Sequence, residues 1–422
     1  MTETGPELPD QTEKRKLVVF DVEGVLVPKR RYLFFEVGRT LGFKQFLTIV
    51  FYGFLYEVGA IPLKSALKRI FRVFRGAKTE ELIPIFRQIP LILGAKKVVQ
   101  KLRTESFKTA LISSGLPTLV VEDLAHELRA DFAVGLELET TENALTGEIW
   151  GDVLERNGKL TVLQKILKAT NLTPKDCVVV ADDRNNQSIF LPEALKIGYH
   201  PDFALVTRAD KVVNGTLPEI LPPILGEPDH KGTRLTINDI IRETIHASGI
   251  LMPILAIRSG KYYVAYFILI VTMLYVMSEL ARIEKKSIPL FSMITRHAAT
   301  QSELGEFATT PLLFATGIIL TLLIYPPSAS GAAIAAFSLG DSTASLAGKA
   351  FGKIHLPINK GKTLEGSLTG FIFAFLGALL FVPPWLAFIG AVAAMTIELL
   401  PLPLNDNLVI PLVTGAILTP LV

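Results

Sequence analysis

The sequence predicts an α/β doubly wound parallel sheet with a helical cap, followed by an all-α polytopic membrane domain of six or seven helices. Three observations carry this reading. Composition changes sharply near residue 232, so the whole-chain values of 50% hydrophobic residues, net charge +3 and mean hydropathy +0.42 average a polar first half with an apolar second half. The first half contains three short apolar runs that each end in a polar loop, with helical-looking segments between them. The second half repeats apolar stretches approaching the roughly 20 residues that cross a bilayer. At 422 residues the chain is too long for one ordinary core.

Residues 1–15 read as a polar tail. They lack a positively charged start leading into an apolar core, so a cleaved signal peptide is not expected. The first run, Lys16-Leu17-Val18-Val19-Phe20, ends at Asp21-Val22-Glu23-Gly24. The second, Lys108-Thr109-Ala110-Leu111-Ile112, ends at Ser113-Ser114-Gly115. The third, Cys177-Val178-Val179-Val180, leads into Asp182-Asp183-Arg184-Asn185-Asn186. In a doubly wound parallel sheet these three polar loops meet at the carboxyl edge, which is therefore the expected active site. The single cysteine, Cys177, excludes an internal disulfide and reads as a small buried hydrophobe.

A cap is expected over about 31–90. Its stretch 46–56 is strongly apolar, and Lys64, Lys68, Arg69, Arg72 and Arg75 follow it. Two readings stay open: a helical cap core with a solvated face, or an amphipathic surface that touches a membrane or admits a lipid tail. The sheet domain is expected to span 16–225, with a linker over 226–236.

From residue 237 the expected membrane helices are 237–257, 262–281, 307–324, 328–348, 366–382, 384–400 and a short 408–422. The pairs Pro326-Pro327 and Pro383-Pro384 mark turns between them. With the first half on the cytoplasmic side, 282–306, 349–365 and 401–407 become inner loops. These hold Arg282, Lys285, Lys286, Arg296, Lys349, Lys353, Lys360 and Lys362, whereas the outer turns hold only Arg258 and Lys261, in keeping with the positive-inside rule. Arg242, His246, Glu279, Asp341, Glu365, Glu398 and Asp406 then all fall near cytoplasmic helix ends. An integral membrane protein with its active sites on the cytoplasmic side is expected.

The segment Gly340-Asp341-Ser342-Thr343-Ala344-Ser345, continuing through Gly348, Gly352 and Lys362-Thr363-Leu364-Glu365-Gly366-Ser367, places phosphate-binding chemistry in this apolar half. An acid at the end of an apolar run is expensive to bury and points to function. Aspartate holds a divalent cation, glycines admit phosphate oxygens to the backbone, and Lys349, Lys353, Lys360 and Lys362 neutralise charge. The suggested ligand is a metal-bound nucleotide.

The motifs of the first half resemble the haloacid dehalogenase superfamily, most of all its phosphoserine phosphatase branch, over roughly 14–225. The resemblance implies a phospho-enzyme formed on Asp21, with Glu23 as general acid/base where the family commonly has aspartate. It implies phosphate binding by Ser113 and by Lys159, which opens a helical pattern. Asp182 matches the Mg2+ ligand, and Asn186 stands at the family's usual second acidic position; Asp21 and Glu23 complete the implied metal set. Asp183 replaces a glycine.

The second half resembles the dolichol kinase and phytol kinase family of CTP-dependent polyprenol kinases, and in pattern the membrane cytidylyltransferases that make CDP-lipids, over roughly 237–422. The matching pieces are Arg242 to His246, with Glu243 where the family often has lysine; Glu279 with Arg282; Gly340-Asp341 with Ala344, Gly348 and Gly352; residues 362–367; and Glu398 with Asp406, Asn407 and Pro411. This implies transfer of the γ-phosphoryl group of CTP, with Mg2+, to the hydroxyl of an isoprenoid alcohol such as a dolichol-, polyprenol- or geranylgeraniol-like lipid. Asp341 and Asp406 are the metal-ligand candidates. Lys362 and Arg282 are phosphate-binding candidates; Ser345, Gly348, Gly352, Thr363, Ser367 and Asn407 are candidates to line the nucleotide site. Glu365, Glu398 or His246 is expected to accept the alcohol's proton.

The combined expectation is a bifunctional membrane enzyme whose partners are CTP, membrane lipid and an isoprenoid alcohol or lipid phosphate. Competing classes are a CDP-lipid-forming enzyme, a transporter, and a membrane protein whose first half senses phosphate without turnover. Dispersed positive charge without a recognition motif argues against nucleic-acid binding.

Overall fold

The computed structural model describes residues 16–28, 42–57, 60–78, 80, 84, 87, 89–227, 235–283, 308–400, 402 and 405–422. The chain forms two compact units, one containing 1–199, 208–211 and 217–226, the other 200–207, 212–216 and 227–422.

The first unit is built on β1 (Leu17–Asp21), whose five residues are all buried. A continuous β-branched and aromatic run with no polar alternation belongs to a strand covered on both faces, and that is where it lies. Two helices of the cap region follow, α1 (Phe43–Glu57) and α2 (Leu63–Phe71), then α3 (Ala95–Thr104), β2 (Lys108–Pro117), α4 (Thr118–Leu128), the hairpin β3 (Phe132–Thr141) and β4 (Ala144–Trp150), α5 (Gly158–Thr170), β5 (Cys177–Ala181), β6 (Leu195–Tyr199) and β7 (Lys211–Val213). The sheet order is β4-β3-β2-β1-β5-β6-β7. β1 is parallel to both β2 and β5, with Asp21 level with Ile112 and Phe20 level with Val180. The three strands foreseen from apolar runs are therefore the central ones, and their polar loops leave the same edge. Cys177 is buried and unbridged. The antiparallel β3–β4 edge is tied to the segment that follows α2: Arg72 pairs with Glu148 at 2.9 Å, and Gly76 N–H donates to Leu145 O at 2.8 Å.

The second unit is helical. Thr236 and Asp239 form a capping box that opens α6 (Ile237–Ala247), which continues through a tight turn into α7 (Leu251–Ser259). Then come α8 (Lys261–Ile283), α9 (Thr310–Ile324), α10 (Pro327–Phe351), α11 (Leu364–Ala378), α12 (Pro384–Leu399) and α13 (Asp406–Leu418). Pro327 and Pro384 each occupy the first helical turn, where a missing N–H costs nothing.

Among the described residues, two helical stretches are long and apolar enough to cross a membrane, Ile237–Ser259 and Lys261–Arg282. This is fewer than the expected six or seven. The reason is length: helices of 15 or 16 residues such as α9, α11 and α12 reach about 22–24 Å at 1.5 Å per residue, short of a hydrocarbon core of about 30 Å. α10 is longer but is a small-residue core helix, with Ala329, Ala332, Ala333, Ala335 and Ala336 fully buried. Two glycines of α11 pack against its backbone. A Cβ on Gly366 would lie 2.7 Å from Ala344 O, and one on Gly370 would lie 2.7 Å from Gly340 O. These glycines admit a neighbouring helix backbone.

Candidate functional site

Asp21 ends β1, so its carboxylate emerges where the sheet stops and is 4% exposed. Oδ1 accepts from Val22 N–H at 2.9 Å and from Lys159 Nζ at 2.7 Å; Oδ2 accepts from the Asn186 amide. Lys159, in the first turn of α5, is equally buried and also donates to Asn186 Oδ1 at 2.7 Å. Burial disfavours its ammonium, but Asp21, Glu23 and Asp183 more than offset this and hold its pKa above the usual lysine range. Lys159 is thus a fixed positive charge.

Glu23 turns towards the loop after β2. Its Oε1 accepts from Ser113 Oγ at 2.8 Å and from Gly115 N–H at 2.9 Å. Ser113 Oγ in turn accepts from Leu116 N–H at 2.8 Å. Burial, and then the charge of Asp21, raise the pKa of Glu23 above the ordinary value, with Lys159 and Ser113 pulling the other way. The pocket thus pairs Asp21 with Lys159 and holds beside them a carboxyl, Glu23, that keeps its proton to higher pH, a division of roles that acid–base chemistry uses.

Carboxylate oxygens of Asp21, Asp182 and Asp183 lie within 4.8 Å of one another, and all three residues are buried. Hard oxygen donors of this kind suit Mg2+. Gly24, at φ +85°, makes room: a Cβ there would sit 2.1 Å from Asp182 Oδ2. The expected metal set was Asp21, Glu23, Asp182 and Asn186; the acids that lie together here are Asp21, Asp182 and Asp183. Glu23 Oε1 accepts from Ser113 and Gly115, Asn186 bridges Asp21 and Lys159, and Asp183 joins Asp21 and Asp182 in the acidic group. Sequence reasoning treated Asp183 only as a lost glycine. The signal was its acidity beside Asp182 at a strand end, where an Asx cap fixes the carboxylate: Oδ1 accepts from Asn185 N–H at 3.0 Å.

The second unit gathers part of its expected set. His246 lies 3.0 Å from Asn407 Oδ1 through Nε2 and 3.5 Å from Asp341 Oδ2 through Nδ1, with its ring against Phe314 and Phe337. Lys362 is paired with Glu398. Burial opposes the Lys362 charge, and Glu398, Asp341 and Asp406 together raise its pKa above the usual lysine range. Asp341, Asp406, Glu398, Lys362, His246 and Asn407 thus share one charged neighbourhood, although the tight three-acid group among the described residues is the one in the first unit.

The remaining candidates have other partners. Glu365 accepts from the backbone N–H groups of Lys353 and Ile354 at 3.1 and 3.3 Å, which closes the loop between α10 and α11. Thr363 caps α11 through Gly366 N–H. A Cβ on Gly348 would lie 3.0 Å from Thr363 Oγ1, and one on Gly352 would lie 2.6 Å from it, so these glycines seat that cap. Ser367 N–H donates to Thr363 O at 3.0 Å within the same turn. Arg282 is held by Glu279, which is fully buried. Ser345 donates to Glu243 Oε1 at 2.8 Å. Glu243, 5% exposed and also bound by Arg242 at 2.6 Å, was read from sequence only as a missing lysine. What marks it is the buried side of an amphipathic helix.

Residues 18–185 match the family described as haloacid dehalogenase-like hydrolase. A phosphoserine phosphatase of Idiomarina loihiensis is 32% identical over 164 residues, which are 39% of this chain and 74% of that protein. A phosphoserine phosphatase of Methanocaldococcus jannaschii is 25% identical, covering 47% of this chain and 92% of the relative. One from Archaeoglobus fulgidus is 28% identical over 47% of this chain, and the match spans 56% of that protein's length.

Proposed function

We propose, on the premise that this chain belongs through its first half to the haloacid dehalogenase-like hydrolase family, that the first unit hydrolyses phosphomonoesters. The observation that carries this is the buried Asp21–Lys159 pair beside the acidic group of Asp182 and Asp183. The Asp21 carboxylate attacks phosphorus, the ester P–O bond breaks, and Glu23 gives its proton to the departing oxygen. Water then attacks the aspartyl phosphate and Glu23 takes its proton. The bond from phosphorus to Asp21 breaks, inorganic phosphate leaves, and both carboxyl groups return to their starting states. Ser113 Oγ and the Lys159 ammonium hold the phosphoryl oxygens through both steps. Asp21, Asp182 and Asp183 would hold Mg2+, which supplies further neutralisation of phosphoryl charge.

The names of the relatives give phosphoserine as one substrate to try; a polyprenyl phosphate is the other that the fusion suggests. Phosphate release from phosphoserine, a polyprenyl phosphate and p-nitrophenyl phosphate, each with Mg2+ and with Asp21→Asn as control, tests the reading. Turnover that persists undiminished in the variant would refute it.

A second reading concerns the second unit, where Lys362 stands among Glu398, Asp341 and Asp406. Together with the motif resemblance, this supports CTP-dependent phosphorylation of an isoprenoid alcohol at the cytoplasmic side of a membrane. Incubation with a polyprenol and γ- or α-labelled CTP separates the outcomes. Label reaching lipid from γ-CTP supports kinase chemistry, and label reaching it only from α-CTP replaces that with cytidylyl transfer.

A further inference from the structure

We infer that Tyr56, at the end of α1, is a positioning residue for the metal-binding acids: it fixes Asp183 through the amide of Asn185. This inference rests on the reading of Asp21, Asp182 and Asp183 as the metal group.

The contacts join positions 128 and 129 residues apart. Asn185 Nδ2 donates both to Tyr56 Oη and to Asp183 Oδ2, the latter at 2.9 Å. Asn185 N–H and Asn186 Nδ2 each donate to Asp183 Oδ1 at 3.0 Å. One amide therefore spends its two N–H groups on the phenol oxygen and on a carboxylate that the metal would need. The main chain is tied as well: Arg184 Nη2 donates to Tyr56 O at 2.7 Å, and its guanidinium lies 5.1 Å from the centroid of the Tyr56 ring.

The division of labour follows from which atoms are used. The ring and the carbonyl of Tyr56 hold Arg184, and any aromatic residue would do the same. The hydroxyl reaches Asn185, and through that amide it links α1 to the Asp183 carboxylate itself. Without it, the Asn185 amide loses one partner and is free to rotate away from the carboxylate. Groups that orient a metal ligand in this way are worth about 10- to 100-fold in metal affinity. Because α1 belongs to the cap region, the arrangement links the seating of the cap to the readiness of the acidic group.

The test is Mn2+ binding to the full chain in detergent micelles, followed by electron paramagnetic resonance. The site counted is the one lost in Asp182→Asn, and thermal unfolding is recorded beside it. Tyr56→Phe is expected to raise the Mn2+ Kd about tenfold. Asn185→Ala is expected to do the same, and the double variant to go no further than the larger single effect. A tyrosine that merely packs would lower the unfolding midpoint and leave Kd where it was; an unchanged Kd in Tyr56→Phe, with the wild type binding normally, overturns this assignment alone. Absence of any Asp182-dependent Mn2+ binding in the wild type overturns the metal reading and the assignment with it.

Discussion

Each unit buries a lysine–carboxylate pair, and the two are built differently. In the first, Lys159 and Asp21 are 4% and 5% exposed, and both are further bonded, to Asn186 and to the Val22 N–H. In the second, Glu398 is 2% exposed while Lys362 is 30% exposed, and Glu398 Oε2 accepts no hydrogen bond among the described residues. The difference lies in the backbone each carboxylate stands on. A strand end releases N–H groups that can turn onto an acid, as Val22 and Gly115 do for Asp21 and Glu23. Glu398 stands in the last turn of α12, where the N–H groups are spent on the helix's own carbonyls, so an acid there depends on side chains from elsewhere. Loops at strand ends supply backbone donors to charged groups, whereas the helical unit holds its buried acid chiefly through Lys362.

The strongest way to break this comparison is to disable each pair and read both activities. Asp21→Asn should abolish phosphomonoester hydrolysis, by about 10^4-fold or more, and leave transfer of label from CTP to lipid intact. Loss of both activities together would mean that the two sites do not work separately.

Glu23 sharpens the account of the first pocket. The first step consumes its protonated form, whose pKa is raised by burial and by Asp21, so kcat/KM should fall on the alkaline side of a value above that of an ordinary glutamate. In Glu23→Gln, kcat/KM should drop about 10^2- to 10^4-fold and that alkaline fall should vanish from the pH profile.

Removing Lys362 leaves Glu398 buried without its counter-charge. Lys362→Ala should destabilise the protein by about 3 kcal/mol, the lower end of the range because Lys362 is 30% exposed. Adding Glu398→Gln should recover most of the loss, read from unfolding midpoints in detergent. A double variant no better than the single would show that the pair is not what Lys362 serves.

The smallest effect tests the close seam between α10 and α11. Gly370→Ala places a Cβ 2.7 Å from Gly340 O and from Met395 Cε, and should cost about 1–3 kcal/mol by overpacking without touching hydrolysis by the first unit. An unchanged midpoint would mean that the two helices separate easily.

What the sequence determined by itself was local. A run such as Val178-Val179-Val180 has no polar alternation and must be covered on both faces, and the polar residues that end such a run must lie at a strand tip. Asp21, Ser113 and Asp182 were legible as strand-tip residues for that reason, Glu23 and Lys159 through the motif resemblance, and the helical character of the second half through its apolar stretches. Tertiary structure decided which atoms meet. Asp183 joins the acidic group of Asp21 and Asp182 because its carboxylate caps the turn that follows it, and Glu365 accepts two backbone N–H groups of the loop between α10 and α11. Gly348 and Gly352 pack against the threonine that caps α11, and Tyr56 reaches Asn185 across 129 residues. Hydropathy and turn chemistry act within a few residues, so sequence reports them directly. Charge pairing and close packing depend on which distant segments share a space, and only the folded chain specifies that.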